Sequence, residues 1–273
     1  MNDSIAFIGG GNMARSLIGG LVAQGRGPAL IRVAEPVPAV REALHADFGV
    51  MVFDNGAQAI EGASTWVLAT KPQVLRGVCE SLAMQAQATR PLLVSIAAGI
   101  TAAQLERWLG GGGLPIVRTM PNTPALLGAG VTGLYASGRV DAAGRAFADA
   151  LLSAAGKTVW IADEAQMDAV TAVSGSGPAY VFLLAEAMID AGIKEGLSPE
   201  AARTLALQTV LGAARMLTES DVDAGELRRR VTSPNGTTQA AIETFEAGGL
   251  RTLVAGAIHA ARVRGGELSA AND

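Results

Sequence analysis

Ser4-Ile5-Ala6-Phe7-Ile8-Gly9-Gly10-Gly11-Asn12-Met13-Ala14 is the stretch on which the reading of this chain turns. Ile5, Ala6, Phe7 and Ile8 suit a buried strand, the three glycines turn the backbone, and a helix-compatible run begins at Asn12. Strand, glycine turn and helix N-terminus in that order make a phosphate cradle. Gly9, Gly11 and Ala14 fit G-x-G-x-x-[GA], a spacing that allows a tight turn, lets a pyrophosphate approach the backbone and packs helix closely on strand. The free N–H groups and the positive dipole end of the helix then face the anion. Glycine turns also close ordinary strand–helix corners. The placement on the first strand, with an acid about twenty residues beyond the helix start, favours a dinucleotide.

Working outward, residues 31–35 (I-R-V-A-E) read as a second strand that ends in Glu35 and is stopped by Pro36. In a dinucleotide fold a carboxylate there meets the adenosine ribose and repels a 2′-phosphate, so Glu35 favours NAD over NADP. Further strands are expected at 50–53, 65–70, 92–96, 115–118 and 158–161, with helices at 13–23 and 141–152. Asn55 follows the third strand. The fourth runs into Ala69-Thr70-Lys71-Pro72, whose proline can open the next helix and hold Lys71 at the carboxyl edge of the sheet. The fifth leads to Ile96, Ala97 and Ala98 at the same edge, and the sixth to the two-proline turn T-M-P-N-T-P at 119–124. The glycine run at 110–113 has no strand feeding it and reads as a surface loop.

The chain has 273 residues, a net charge of −4 and 4% aromatic residues. Such a balance opposes nucleic-acid binding through phosphates, since the only basic run, Arg228-Arg229-Arg230, suits a solvated helix end. A single cysteine, Cys79, excludes an internal disulfide and has no neighbouring Cys or His, so buried packing is expected and no metal site. No leader precedes the first strand and no apolar run looks long enough to span a bilayer, which makes the cytoplasm the expected compartment and a membrane an unexpected partner.

From Glu164 the strand-like runs cease. Helices are expected at 165–173, 179–194, 199–217, 224–230, 237–247 and 250–265, and Ser198-Pro199 is a strong start signal. Residues 180–189 are apolar almost all round and should be buried on every side, within the domain or against a partner in a dimer. Two breaks between these helices, Ser174-Gly175-Ser176-Gly177-Pro178 and Thr232-Ser233-Pro234-Asn235-Gly236-Thr237-Thr238, offer hydroxyls and free N–H groups suited to a small carboxylate, although each could be a plain connector.

Together these segments resemble the pyrroline-5-carboxylate reductases. The likeness runs through F-I-G-G-G-N-M-A, A-T-K-P (69–72), S-I-A-A-G-I (95–100), R-T-M-P-N-T-P (118–124), D-A-V-T-A-V-S-G-S-G-P-A-Y (168–180) and V-T-S-P-N-G-T-T (231–238). It implies an α/β fold: an N-terminal Rossmann-type, doubly wound parallel sheet over residues 1–163, then an all-helical dimerisation and substrate-binding domain over 164–273. Homodimers that can join into a ring are implied too. Carried over by position, an NADP or NAD cofactor touches Gly9, Gly10, Gly11, Asn12, Met13, Glu35, Asn55, Ala69, Thr70, Lys71, Pro72, Ile96, Ala97 and Ala98. The substrate carboxylate rests on Gly236, Thr237 and Thr238, contributed by the neighbouring subunit. Ser174, Gly175, Ser176 and Gly177 shape the pocket, Glu164 makes a distal substrate contact, and Thr238 reaches the ring nitrogen as the one catalytic side chain. Asn235 stands where the family usually has glycine, and Asn tolerates the left-handed conformation.

The implied reaction reduces the cyclic imine 1-pyrroline-5-carboxylate to L-proline, the last step of proline synthesis, by hydride transfer from NAD(P)H. Neither His45 nor His259 falls in a motif. Two rivals are a β-hydroxyacid or imine reductase on the same cofactor domain and an NAD(H)-binding redox sensor without turnover. The first usually places a catalytic Lys or Asp on its long interdomain helix, where residues 179–194 of this chain offer no lysine on the buried face, and the second leaves both small-residue breaks unexplained.

Overall fold

A computed structural model describes residues 4–272 and divides them into two compact units. One runs to Ser176 and takes back the chain from Ala261; the other is Gly177–Ala260.

The first unit is built on eight strands: β1 (Ile5–Ile8), β2 (Ile31–Ala34), β3 (Met51–Phe53), β4 (Thr65–Leu68), β5 (Leu92–Ser95), β6 (Ile116–Met120), β7 (Gly130–Ala136) and β8 (Gly156–Trp160). They lie in the order β3-β2-β1-β4-β5-β6-β7-β8. The first six are parallel, as expected, and reverse direction of travel between β1 and β4. Strand β7 runs antiparallel to β6, and β8 runs parallel to β7. The extra strand β7 was not expected, because Gly130 and Gly133 weaken its β pattern. Both glycines answer to close neighbours: a Cβ on Gly133 would lie 2.5 Å from Val170 Cγ1, and one on Gly130 would lie 2.9 Å from Ala125 backbone.

Helices α1 (Asn12–Ala23), α2 (Pro38–Phe48), α3 (Gly56–Ile60), α4 (Pro72–Thr89), α5 (Ala102–Trp108) and α6 (Ala142–Ser153) cover the sheet. Strand alternation divides the core between the two faces. Ile5, Phe7, Val33, Val67 and Val94 pack with Leu17 and Ile18 of α1, whereas Ala6, Ile8, Trp66 and Leu68 pack with Leu75, Cys79 and Leu82 of α4. The Cys79 thiol is pushed up to about 12, by burial first and by the Glu80 carboxylate second.

Short helix α7 (Met167–Val170) leads into a wide π-helical turn, Thr171–Gly175. Residues 174–178 were expected as a loop with free N–H groups; instead they continue a helical path from Glu164 to Lys194, and Ser176 N–H donates to Thr171 O at 2.8 Å. The helix widens at this point and does not break.

The second unit contains α8 (Gly177–Lys194), α9 (Pro199–Glu219), α10 (Ala224–Arg230), α11 (Thr237–Ala247) and the start of α12 (Leu250–Ala271). Ser198 caps α9 by accepting from Ala201 N–H at 3.2 Å, with Pro199 in the first helical position. Among the described residues of this unit the buried apolar side chains are Ala185, Ala202 and Ala206, while Phe182 is 66% exposed, Leu183 65% and Leu253 71%. Of the two ways of burying residues 180–189, enclosure within their own domain is therefore not the one the protomer uses. One helix, Glu164–Lys194, is also long and apolar enough to cross a membrane by length and composition, against the expectation that no such run exists.

Candidate functional site

The glycine turn shapes a cleft of about 560 Å³ at the carboxyl ends of β1, β2, β3 and β4. Gly9 holds φ at +108°, and a Cβ on it would meet Ala69 O at 2.7 Å, so only glycine lets the turn pass β4. A Cβ on Gly10 would meet Leu44 Cδ1 at 2.7 Å, whereas Gly11 faces open space. Gly11 is the N-cap of α1 and supplies no side-chain acceptor, leaving the first N–H groups of Asn12 and Met13 without an intrahelical partner.

Glu35 follows β2 and folds back over the turn. Its carboxylate accepts from Gly10 N–H and from Val37 N–H, both at 3.0 Å. Asn55 caps α3 through Gln58 N–H at 3.0 Å and donates to Asp54 Oδ1 at 2.7 Å. Lys71 is the N-cap of α4 with Pro72 next to it. Gly9, Gly11, Glu35, Asn55, Ala69, Thr70 and Lys71 thus line one cleft. Gly10 lies behind it, and Asn12 and Met13 form the first turn of α1. Ile96, Ala97 and Ala98 follow β5 and do not line this cleft.

Two features went unread in the sequence. Val74, Val78 and Leu82 of α4 form an apolar wall of the cleft, a stripe at i, i+4 and i+8 that periodicity could have found. Thr70 Oγ1 is buried at its edge without a hydrogen-bond partner. Passage of the backbone at Gly9, open space at Gly11 and an orphaned hydroxyl at Thr70 fit a dinucleotide with its diphosphate on the glycine turn.

Glu164 has a structural partner. Its Oε1 accepts from Arg118 at 3.0 Å and from Ala102 N–H, the first residue of α5, at 2.8 Å. Arg118 is 4% exposed, so this carboxylate compensates a buried charge. Ser174 Oγ is likewise engaged, donating to Val170 O at 2.9 Å.

In the second unit Gly236 is the N-cap of α11 and Thr237 and Thr238 begin it. Gly236 N–H is used internally, donating to Ser233 O at 3.1 Å, so it is not among the free groups expected there. The N–H groups of Thr237 and Thr238 have no intrahelical acceptor by position. Asn235 is left-handed with φ +58°, as its place before the turn requires. Arg228, Arg229 and Arg230 end α10 as expected, paired with Glu226 and Glu246. Arg hydrogen bonds hold both acids below the usual carboxylate range, Arg230 on Glu226 and Arg251 on Glu246. His45 Nδ1 lies 3.0 Å from Val50 O in a packing role. Among the described residues no group of three His, Cys, Asp or Glu side chains gathers.

Comparison with known proteins fits both regions. The profile for pyrroline-5-carboxylate reductase dimerisation matches residues 164–268, and that for NADP oxidoreductase, coenzyme F420-dependent, matches residues 4–99. A pyrroline-5-carboxylate reductase of Pseudomonas aeruginosa is 56% identical over 265 residues, 97% of this chain and 96% of that protein. The chain belongs to the pyrroline-5-carboxylate reductase family. The structure of a pyrroline-5-carboxylate reductase from Coxiella burnetii superposes with a TM-score of 0.95 at 42% identity, covering 98% of this chain and 99% of that one. The Plasmodium falciparum pyrroline carboxylate reductase with NADP bound gives 0.84 at 28% identity, covering 98% of each chain. The exposed leucines and phenylalanine of the second unit fall within the stretch that matches the dimerisation profile, and the glycine-turn cleft falls within the stretch that matches the NADP oxidoreductase profile.

Proposed function

We propose that the chain reduces 1-pyrroline-5-carboxylate to L-proline with NAD(P)H as a homodimer, residues 1–163 holding the dinucleotide and 164–273 supplying the dimer contact and the substrate seat. The near full-length likeness to a reductase of that name carries this reading, and the glycine-turn cleft with its orphaned Thr70 hydroxyl supports it. Neither a hydroxyacid reductase nor a sensor without turnover is favoured by these relatives.

A nicotinamide held in this cleft would supply a hydride for the carbon of the substrate C=N bond. A proton on the ring nitrogen makes the imine electrophilic, and hydride addition then yields the secondary amine of proline. The chain's own residues orient and hold. Gly9 to Met13 and Lys71 seat the diphosphate, Val74, Val78 and Leu82 cover the adenosine side, and Ile96 to Ala98 border the nicotinamide side, since in a 3-2-1-4-5-6 sheet the second mononucleotide half lies over the later strands. The first-turn N–H groups of Thr237 and Thr238 on a neighbouring protomer hold the substrate carboxylate. The Thr238 hydroxyl keeps the ring nitrogen and its proton in place, and Ser174 to Gly177 wall the ring. Glu164, held by Arg118 and the start of α5, makes a distal contact to the substrate.

NADH is the preferred cofactor in this proposal. The Glu35 carboxylate, fixed by two backbone N–H groups, places a negative charge where a 2′-phosphate would sit. Arg41 is turned to the carbonyls of Glu35 and Pro36, at 2.7 and 2.9 Å. Association of dimers into a ring, a cytoplasmic location and independence from nucleic acid and membrane belong to the same proposal.

Cofactor oxidation on adding pyrroline-5-carboxylate tests the activity directly. Thr238→Ala should lower kcat roughly ten- to hundred-fold with cofactor affinity retained. Unchanged kinetics in that variant would take Thr238 out of the mechanism, and a higher kcat/KM with NADPH than with NADH would overturn the role given to Glu35.

A further inference from the structure

The wide turn at Thr171–Gly175 has a cause in the sequence beyond it. Pro178 is the second residue of α8. It carries no N–H, and its ring crowds the carbonyl four residues back, which is that of Ser174. A helix forced past a proline widens locally, and here Ser176 N–H reaches back five residues to Thr171 O. The Ser174 carbonyl, which Pro178 cannot serve, accepts from Asn122 Nδ2 at 3.1 Å. Oδ1 of the same amide accepts from Val131 N–H at 2.9 Å, and Asn122 is 9% exposed. One buried side chain therefore ties together the turn after β6, the start of β7 and the wide turn. The neighbouring contact is close as well, for a Cβ on Gly175 would lie 2.6 Å from Met120 Cε. The residue must donate on one side and accept on the other. An amide does both, whereas an ionised carboxylate only accepts.

We infer that Asn122 is a positioning residue for substrate binding: it fills the hydrogen-bonding gap left by Pro178 and so fixes the shape of the turn that carries Ser174 and Gly175. The inference rests on the proposal that Ser174 to Gly177 wall the substrate ring. Asn122 acts through that turn, so its loss weakens substrate binding and leaves the cofactor cleft intact.

A double-variant cycle in the full-length protein tests it, with Asn122→Asp, Pro178→Ala and the two combined. Asn122→Asp keeps the acceptor for Val131 and removes the donor for Ser174. It should lower Tm and raise KM for pyrroline-5-carboxylate roughly ten-fold, while KM for the cofactor stays within about two-fold. Pro178→Ala restores a backbone N–H four residues after Ser174, so the combined variant should recover most of both losses. Additive losses would overturn the link between Asn122 and Pro178. Rescue seen in Tm with substrate KM unchanged throughout would overturn the positioning role by removing Ser174 to Gly177 from the substrate seat, whereas loss of all reductase activity toward this imine in the parent protein would sink the functional reading itself. Should Asn122→Asp not fold, Asn122→Ala enters the same cycle without a buried charge, and the same rescue by Pro178→Ala is expected or the inference falls.

Discussion

The two units dispose of their apolar side chains in opposite ways. In the first, every residue of β1 and β4 is buried, and the helices on both faces close the core with side chains such as Leu17, Leu75 and Leu105 at 0% exposure. In the second, helices α8, α9 and α12 keep Phe182, Leu205 and Leu253 more than half exposed. A sheet between two helical layers satisfies itself within one chain. Helices that are apolar all round cannot, and the match of residues 164–268 to a dimerisation domain fits that exposure. The lesson is that the glycine-turn cleft rests on a self-sufficient body, while the helical half leaves apolar faces uncovered within one protomer.

The sharpest way to break this contrast is a charge in the helical face. Phe182→Asp should convert the dimer to monomer in sedimentation velocity and reduce turnover by about a hundred-fold or more, because the dimer face and the proposed substrate seat fail together. A dimer that survives would show that the face is covered by something else. Next is a change inside the first unit. Glu164→Ala leaves the Arg118 guanidinium buried without its carboxylate and should cost about 3–5 kcal/mol in denaturant unfolding, with less loss expected where water reaches the site, since the Glu164 side chain is 23% exposed.

A smaller effect confined to one site comes from Gly9→Ala. The positive φ and the approach of Ala69 O resist a Cβ, so cofactor Kd should rise roughly ten-fold or more, while the dimer and the helical unit stay unchanged. Cofactor binding that tolerates the methyl would contradict the backbone geometry of the cradle. The smallest effect separates the units by pH. Glu226 and Glu246 in the second unit have folded pKa values below their usual 4.5. Their stabilisation is therefore present above the unfolded pKa and lost as pH falls through the lower folded value. Glu246 is exposed and Glu226 half-buried at the surface, so the Tm difference between the natural protein and Glu226→Gln/Glu246→Gln should be slight near neutrality, shrink in high salt and disappear in acid.

Much of this architecture was legible beforehand because its signals are local. The strand–glycine–helix order, the capping serine at 198 and the proline after Lys71 each act within a few residues, and the elements they imply are present. Strand β7 was hidden by glycines whose neighbours, Val170 and Ala125, come close only in the folded chain. The all-apolar stretch in α8 reads as buried, yet within one protomer it stays largely exposed. The small residues at 174–178 resembled a break because a turn and a widened helix use the same residue types.

By itself the sequence determined the strand–glycine–helix turn, the parallel strands that follow it and the change to helices after Glu164, since these depend on backbone freedom, side-chain periodicity and capping over short spans. Only tertiary structure decided the partners of the buried polar groups. Arg118 meets Glu164 across 46 residues, and Asn122 meets Ser174 across 52. No local pattern marks such pairs. They exist because a charge or carbonyl removed from water must find a donor or acceptor wherever the fold brings one within reach.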